Sequence, residues 1–183
     1  MRVAPVGLLF HHAPDLYERA AASAAVTHAH PLGQDGASVQ ALAVAQALKL
    51  DPEEPFPRDT FLKDLRARTR TAELQEKLDL LGDLLSHGAS AAEAARSLGR
   101  SVAVHESLPF ALFAFLSHPD SYRDCLWCAV LNGGDRDTLG AMAGAVSGAY
   151  LGVAAIPPEW QKKLENRTLI EQAAMALLRR TAS

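Results

Sequence analysis

Asp135, Asp137 and Thr138 place two carboxylates and a hydroxyl within four residues of the stretch GGDRDTLG. All three are hard oxygen donors suited to Mg²⁺ or Mn²⁺, and the set lacks the His and Cys expected of a zinc site. Two residues apart on a turn, the aspartates can converge on one point. The partial positive charge of the helix start that follows keeps both ionised. The same spacing also describes a plain helix N-cap with a spare acid, since either aspartate can accept from the first unpaired N–H groups. Spacing alone leaves both readings open.

The other reactive residue types are better accounted for by packing. Cys125 and Cys128 form a C-x-x-C in SYRDCLWCAV, but neither a βαβ context nor a second Cys/His pair accompanies them, so both read as core thiols. His105-Glu106 lacks the second histidine of a zincin helix and reads as a structural pair. His11-His12 and His30 read as loop or cap histidines, and His28 by residue type alone reads as a buried polar group. Lys63, Arg66, Arg68 and Arg70 read as a solvated helix face rather than a nucleic-acid contact. Trp160, after Pro157-Pro158, is expected to anchor the last helix by packing.

These residues must be positioned by helices. Ala and Leu together supply about a third of the 183 residues, and both lead the helix-propensity ranking, while runs of strand-forming Val, Ile, Thr and Tyr are missing. Apolar spacing and breakers predict helices over 14–30, 36–50, 59–68, 72–87, 90–98, 103–117, 119–131, 137–154, 158–165 and 168–181. Gly33 and Gly36 read as a turn before the second of these, and Ser90 with Glu93 as a capping box. The fold class is all-α in a single domain over 1–183. With 18 Lys+Arg against 21 Asp+Glu and a net charge of −3, there is no basic footprint for nucleic acid or anionic membrane. Charges or glycines interrupt every apolar run, so no membrane span is expected. Two cysteines suggest a reducing compartment, and the chain reads as cytoplasmic.

Gly140, Gly144, Gly148 and Gly152 recur at strict four-residue spacing in the helix after GGDRDT. Each interior glycine costs on the order of 0.5–1 kcal/mol relative to alanine, so a compensating close helix approach is expected along that ridge. The opening VAPVGLL reads as a buried helix starting directly after Met1-Arg2.

The run GGDRDTLGAMAGAVSGAYLGVAAIPPEWQKKLE resembles the C-terminal signature of the ADP-ribosylglycohydrolases: Gly-Gly-Asp-x-Asp-Thr, a small-residue helix, then Ile-Pro-x-x-Trp. The similarity extends through HESLPFALFAFL, THAHPLGQDGASVQALAV and the opening MRVAPVG. It is nearest to the branch that removes ADP-ribose from serine and degrades poly(ADP-ribose). The resemblance implies an all-α orthogonal bundle around two Mg²⁺ ions, Mn²⁺ being an alternative. It implies Asp135, Asp137 and Thr138 as metal ligands, His28 as a contact to ADP-ribose and Val102 as an apolar residue against the nucleotide. The implied reaction is hydrolysis of the glycosidic bond at ADP-ribose C1″ on an ADP-ribosylated protein or related compound. No residue here is assigned as the catalytic acid or base.

The chain departs from that pattern in two ways. Arg136 stands between the aspartates where the family usually has Thr, and solvent exposure is the expected outcome, with weakened metal affinity the alternative. The family's N-terminal half, bearing further acidic ligands and a glycine-rich phosphate loop, has no counterpart, so the chain reads as a C-terminal half with a possible separately encoded partner half. The competing reading is a non-catalytic helical module that binds ADP-ribose or a partner.

Overall fold

The computed structural model describes residues 1–181. Among them only helices and connecting turns occur: α1 (Ala4–Leu9), α2 (Leu16–Ala25), α3 (Pro31–Ala47), α4 (Arg58–Arg68), α5 (Ala72–Ser86), α6 (Ala91–Leu98), α7 (Val104–Ser117), α8 (Tyr122–Leu131), α9 (Arg136–Leu151), a 3-10 turn (Val153–Ala155), α10 (Pro158–Lys163) and α11 (Arg167–Thr181). Helices α3, α7 and α9 pack on one another at the centre, with α1 and α2 against α3, α4 to α6 on the α3/α7 side and α8 covering α9. The middle of α7, Ser107 to Leu116, is buried all round, as its continuous apolar run requires. None of the helices among the described residues is long and apolar enough to cross a membrane.

The predicted helices recur with ends shifted by a few residues, and one expectation is overturned. Gly33 and Gly36 are not a turn: they lie inside α3, which starts at Pro31 with His30 as N-cap, its Nδ1 accepting from the Leu32 N–H at 3.2 Å. Packing outweighs the poor helix propensity of glycine here. A Cβ at Gly36 would collide with Val104 at the start of α7, and one at Gly33 would press on His28 at 3.2 Å.

The glycine ridge of α9 is used unevenly. Leu126 and Val130 of α8 sit over Gly140, and Tyr122 and Leu126 over Gly144; Gly148 is loosely covered, and Gly152 ends the helix at φ +76°. What approaches the ridge is therefore side chains of α8. The α1 segment is buried along one side, at Val3 and Gly7. Ser90 caps α6 through the Glu93 N–H at 3.2 Å. Trp160 packs on Tyr122 of α8, ring centroids 6.4 Å apart, so it anchors α10, while α11 lies along α1.

One buried carboxylate joins three elements near the centre. Asp35 of α3, 2% exposed, accepts from the Tyr17 hydroxyl at 2.7 Å, the Arg70 N–H at 3.1 Å, the Thr71 N–H at 2.7 Å and the Thr71 hydroxyl at 2.5 Å. It thereby ties α2 and the start of α5 to the helix that floors the site described next.

Candidate functional site

A cavity of about 270 Å³ opens where the ends of α2, α7 and α9 meet the side of α3. His28, Val102, Asp135 and Thr138, scattered over more than a hundred residues of sequence, all line it. Asp137 does not; it is exposed beside Asp135, and Arg136 is exposed between them. The volume lies just below the roughly 300–1,000 Å³ of typical ligand pockets, room for only part of a nucleotide-sized molecule.

Asp135 does not itself act as the side-chain cap that its spacing allowed. It occupies the N-cap position of α9 at φ −82°, ψ 75°, yet its side chain caps none of the helix's N–H groups. A carboxylate left off the cap, at the rim of a cavity, is available to a ligand. Hydrogen-bonding interaction with the Asp135 side chain, and with backbone N–H groups at Thr138 and Asp137, holds the Asp137 carboxyl below the usual carboxylate range. The backbone enters this turn through Gly133 and Gly134, both at positive φ, and a Cβ at Gly134 would collide with the Arg100 carbonyl. That approach lets the Asp135 N–H donate to the Arg100 oxygen at 2.9 Å, which places the loop bearing Val102 beside the aspartates. Among the described residues no group of three or more His, Cys, Asp and Glu is placed to hold a metal ion. The donors present, two carboxylates and a hydroxyl, are of the chemistry that Mg²⁺ takes but make only part of a coordination shell.

His28 is exposed rather than buried. Residue type suggested a core position because imidazole tolerates one, but α2 ends at Ala25 and leaves His28 in the connection to α3. Arg2 donates to the Thr27 hydroxyl oxygen at 2.9 Å, and that hydroxyl lies 2.8 Å from His28 Nδ1. The same hydroxyl also lies 3.4 Å from the Ala24 carbonyl, so the contact holds the ring at Nδ1 and leaves Nε2 for a ligand. Val102 is 82% exposed, an apolar cap on the opposite rim.

The floor was not foreseen. Gln40, 2% exposed, donates from Nε2 to the Met142 carbonyl at 3.0 Å, and its Oε1 has no partner. A lone amide within the apolar run SVQALAVA was the available signal. Ser107, Arg2, Thr27 and Met142 also line the cavity.

The remaining candidates play structural parts. Cys125 is fully buried and Cys128 nearly so, and burial pushes their thiols up to about 12 and about 11. His105 and Glu106 are not paired with each other: His105 Nδ1 lies 3.4 Å from Glu73, while Glu106 faces the 99–102 loop. His11 Nδ1 donates to the Leu8 carbonyl at 2.7 Å at the end of α1. Arg66 forms a two-pronged pair with Asp79, and Arg70 stacks on Tyr17 and pairs with Glu18, while Lys63 and Arg68 are exposed.

With this geometry in view, comparison with known proteins identifies the class: the family model of the ADP-ribosylglycohydrolases matches residues 1–183, and the chain belongs to that family. Among particular relatives, it is 32% identical over 208 residues to ADP-ribosylhydrolase ARH3 of Homo sapiens, covering 98% of this chain and 56% of that protein. It is 32% identical over 180 residues to an uncharacterized protein of Archaeoglobus fulgidus, covering 97% of this chain and 56% of that one. A solved structure described as an ADP-ribosylglycohydrolase-related protein complex superposes with a TM-score of 0.79 at 27% identity, covering 99% of this chain and 59% of that one. The all-helical architecture matches that neighbour. The chain spans about half the length of the curated relatives it matches.

Proposed function

We propose that this chain binds ADP-ribose in the 270 Å³ cavity and serves Mg²⁺-dependent hydrolysis of the glycosidic bond at ADP-ribose C1″. The observation that carries the reading is the convergence of His28, Val102, Asp135 and Thr138 on one cavity in a chain of the ADP-ribosylglycohydrolase family. His28 donates from Nε2 to a ribose or phosphate oxygen, and Val102 covers an apolar face of the ligand. Asp135, Asp137 and Thr138 are the residues that would hold Mg²⁺, two ions being the family expectation. The bound metal supplies Lewis-acid polarisation of the ribose hydroxyl region and a positioned water. The substrate is an ADP-ribosylated protein or a related ADP-ribosyl compound. Any further ligands come from outside the residues assigned here.

Asp135→Ala tests this. Because the side chain makes no cap bond, the variant is expected to keep wild-type stability within about 0.5 kcal/mol. Mg²⁺ affinity by calorimetry and ADP-ribose release from an ADP-ribosylated protein are both expected to fall at least about tenfold. A variant that binds Mg²⁺ and releases ADP-ribose as the wild type does would remove the metal assignment, whereas a wild-type chain that binds ADP-ribose and releases none would favour a non-catalytic binding module.

A further inference from the structure

Glu106 is the third residue of α7. A glutamate there ordinarily reaches back to the N–H of the N-cap residue. Here that duty is already discharged: the N-cap is Ala103, and its N–H donates to the Ser101 hydroxyl oxygen at 3.2 Å. The Glu106 carboxylate extends past the cap instead. Its Oε2 accepts from the Arg100 N–H at 3.1 Å and the Ser101 N–H at 2.9 Å. Gly99, at φ +86°, passes so close that a Cβ there would collide with the Glu106 side chain. The Arg100 residue held in this way presents its carbonyl to the Asp135 N–H at 2.9 Å, in the approach that only glycine at 134 permits. Val102, two residues on, is the cavity's apolar rim.

We propose that Glu106 is a positioning residue for the site: through the Arg100–Val102 loop it sets both the Asp135 turn and the Val102 rim without touching the ligand. This rests on the ADP-ribose reading given above. One carboxylate oxygen fixes two successive peptide N–H groups, so the peptide planes on either side of the Arg100 Cα are both held. The second of those planes carries the Arg100 carbonyl anti to the Ser101 N–H, so its orientation decides where that carbonyl points. Losing the carboxylate frees the loop, and with it the backbone partner of Asp135, while the buried middle of α7 is left intact.

The test compares Glu106→Ala, Glu106→Asp and Glu106→Gln in the full chain, by residue-resolved amide hydrogen exchange and by calorimetric titration with ADP-ribose in the presence of Mg²⁺. Alanine and the one-methylene-shorter aspartate are expected to speed exchange at Arg100, Ser101 and Asp135 by about tenfold or more, with Phe110 to Leu116 unchanged. ADP-ribose affinity is expected to fall about tenfold in the same two variants. Glutamine keeps an acceptor oxygen with two lone pairs and is expected to stay within about threefold of wild type. Should alanine prevent folding, the aspartate variant carries the comparison. Unchanged exchange at Asp135 in the shortened variants, or glutamine no better than alanine, overturns the linkage. A wild-type chain that does not bind ADP-ribose refutes the functional reading alone, and the exchange pattern then still decides whether Glu106 holds the Asp135 turn.

Discussion

Replacing Asp35 by alanine is expected to destabilise the protein by about 3–5 kcal/mol, a large share of the 5–15 kcal/mol typical of a domain. The carboxylate is 2% exposed and accepts from four donors. Hydrogen bonds to a charged group contribute about 1.5–3 kcal/mol each, but they do not add. The Tyr17 and Thr71 hydroxyls can rotate to other partners. The Arg70 and Thr71 N–H groups are fixed by the chain in a part-buried contact, and a donor left unpaired beside the buried Asp35 site costs about 1–3 kcal/mol. Those two orphans make up most of the figure. Burial and the neighbouring Asp35 carboxylate push the Tyr17 phenol well above its ordinary pKa, so that hydroxyl is a committed donor to the carboxylate. Asp35→Asn is milder, at about 1–2 kcal/mol, because the amide can turn its NH₂ toward a re-oriented Tyr17 hydroxyl while its oxygen keeps the backbone donors. Tyr17→Phe removes one bond and is expected to cost about 1–2 kcal/mol. Urea unfolding of the four proteins at unchanged m-value measures this. An alanine variant within about 1 kcal/mol of wild type, or an asparagine variant as damaged as the alanine one, would refute the argument that fixed backbone donors set the cost.

Two further predictions rest on packing. In α9, Gly148→Ala is expected to stabilise by about 0.5–1 kcal/mol, since the new methyl would meet Tyr122 only at an ordinary 3.7 Å and glycine is the poorer helix former. Gly144→Ala presses on Tyr122 and Leu126 at 3.1 and 3.2 Å, so overpacking of about 1–3 kcal/mol exceeds that gain and thermal unfolding should fall. For Cys125, a thiol pushed up to about 12 is ionised to the order of 10⁻⁴ at pH 8, and Cys128, pushed up to about 11, to the order of 10⁻³. Both are expected to resist a thiol-specific disulfide reagent for as long as the native fold persists and to react at once in guanidinium. Prompt modification of the native protein would contradict their burial.

Much of the helical plan was legible because it is local. Alternating breakers such as Gly88, Gly99 and Gly133-Gly134 interrupt apolar spacing of three to four residues, and these signals act within one or two turns of chain. The error at Gly33 and Gly36 has the opposite character. Their reason for being glycine is the approach of His28 and Val104 from other segments, and no local propensity encodes that. The aspartate pair shows the same limit, since its spacing fits a cap as well as a ligand. His28 was placed in the core by residue type, yet it stands exposed where α2 stops short of α3.

The sequence alone determined an all-α chain, the GGDRDT…IPPEW signature that marks its family, and buried, unreactive cysteines, because composition, periodicity and a dense motif carry those facts. Only the tertiary structure decided that Asp135 leaves its helix uncapped and turns to a cavity shared with His28 and Val102, that Gln40 lies at its floor with an unpartnered oxygen, and that Glu106 serves the loop of Arg100 rather than its own helix end. These outcomes depend on which segments distant in sequence meet when the apolar faces of α3, α7 and α9 are buried together, and that burial is a property of the whole chain rather than of any window of it.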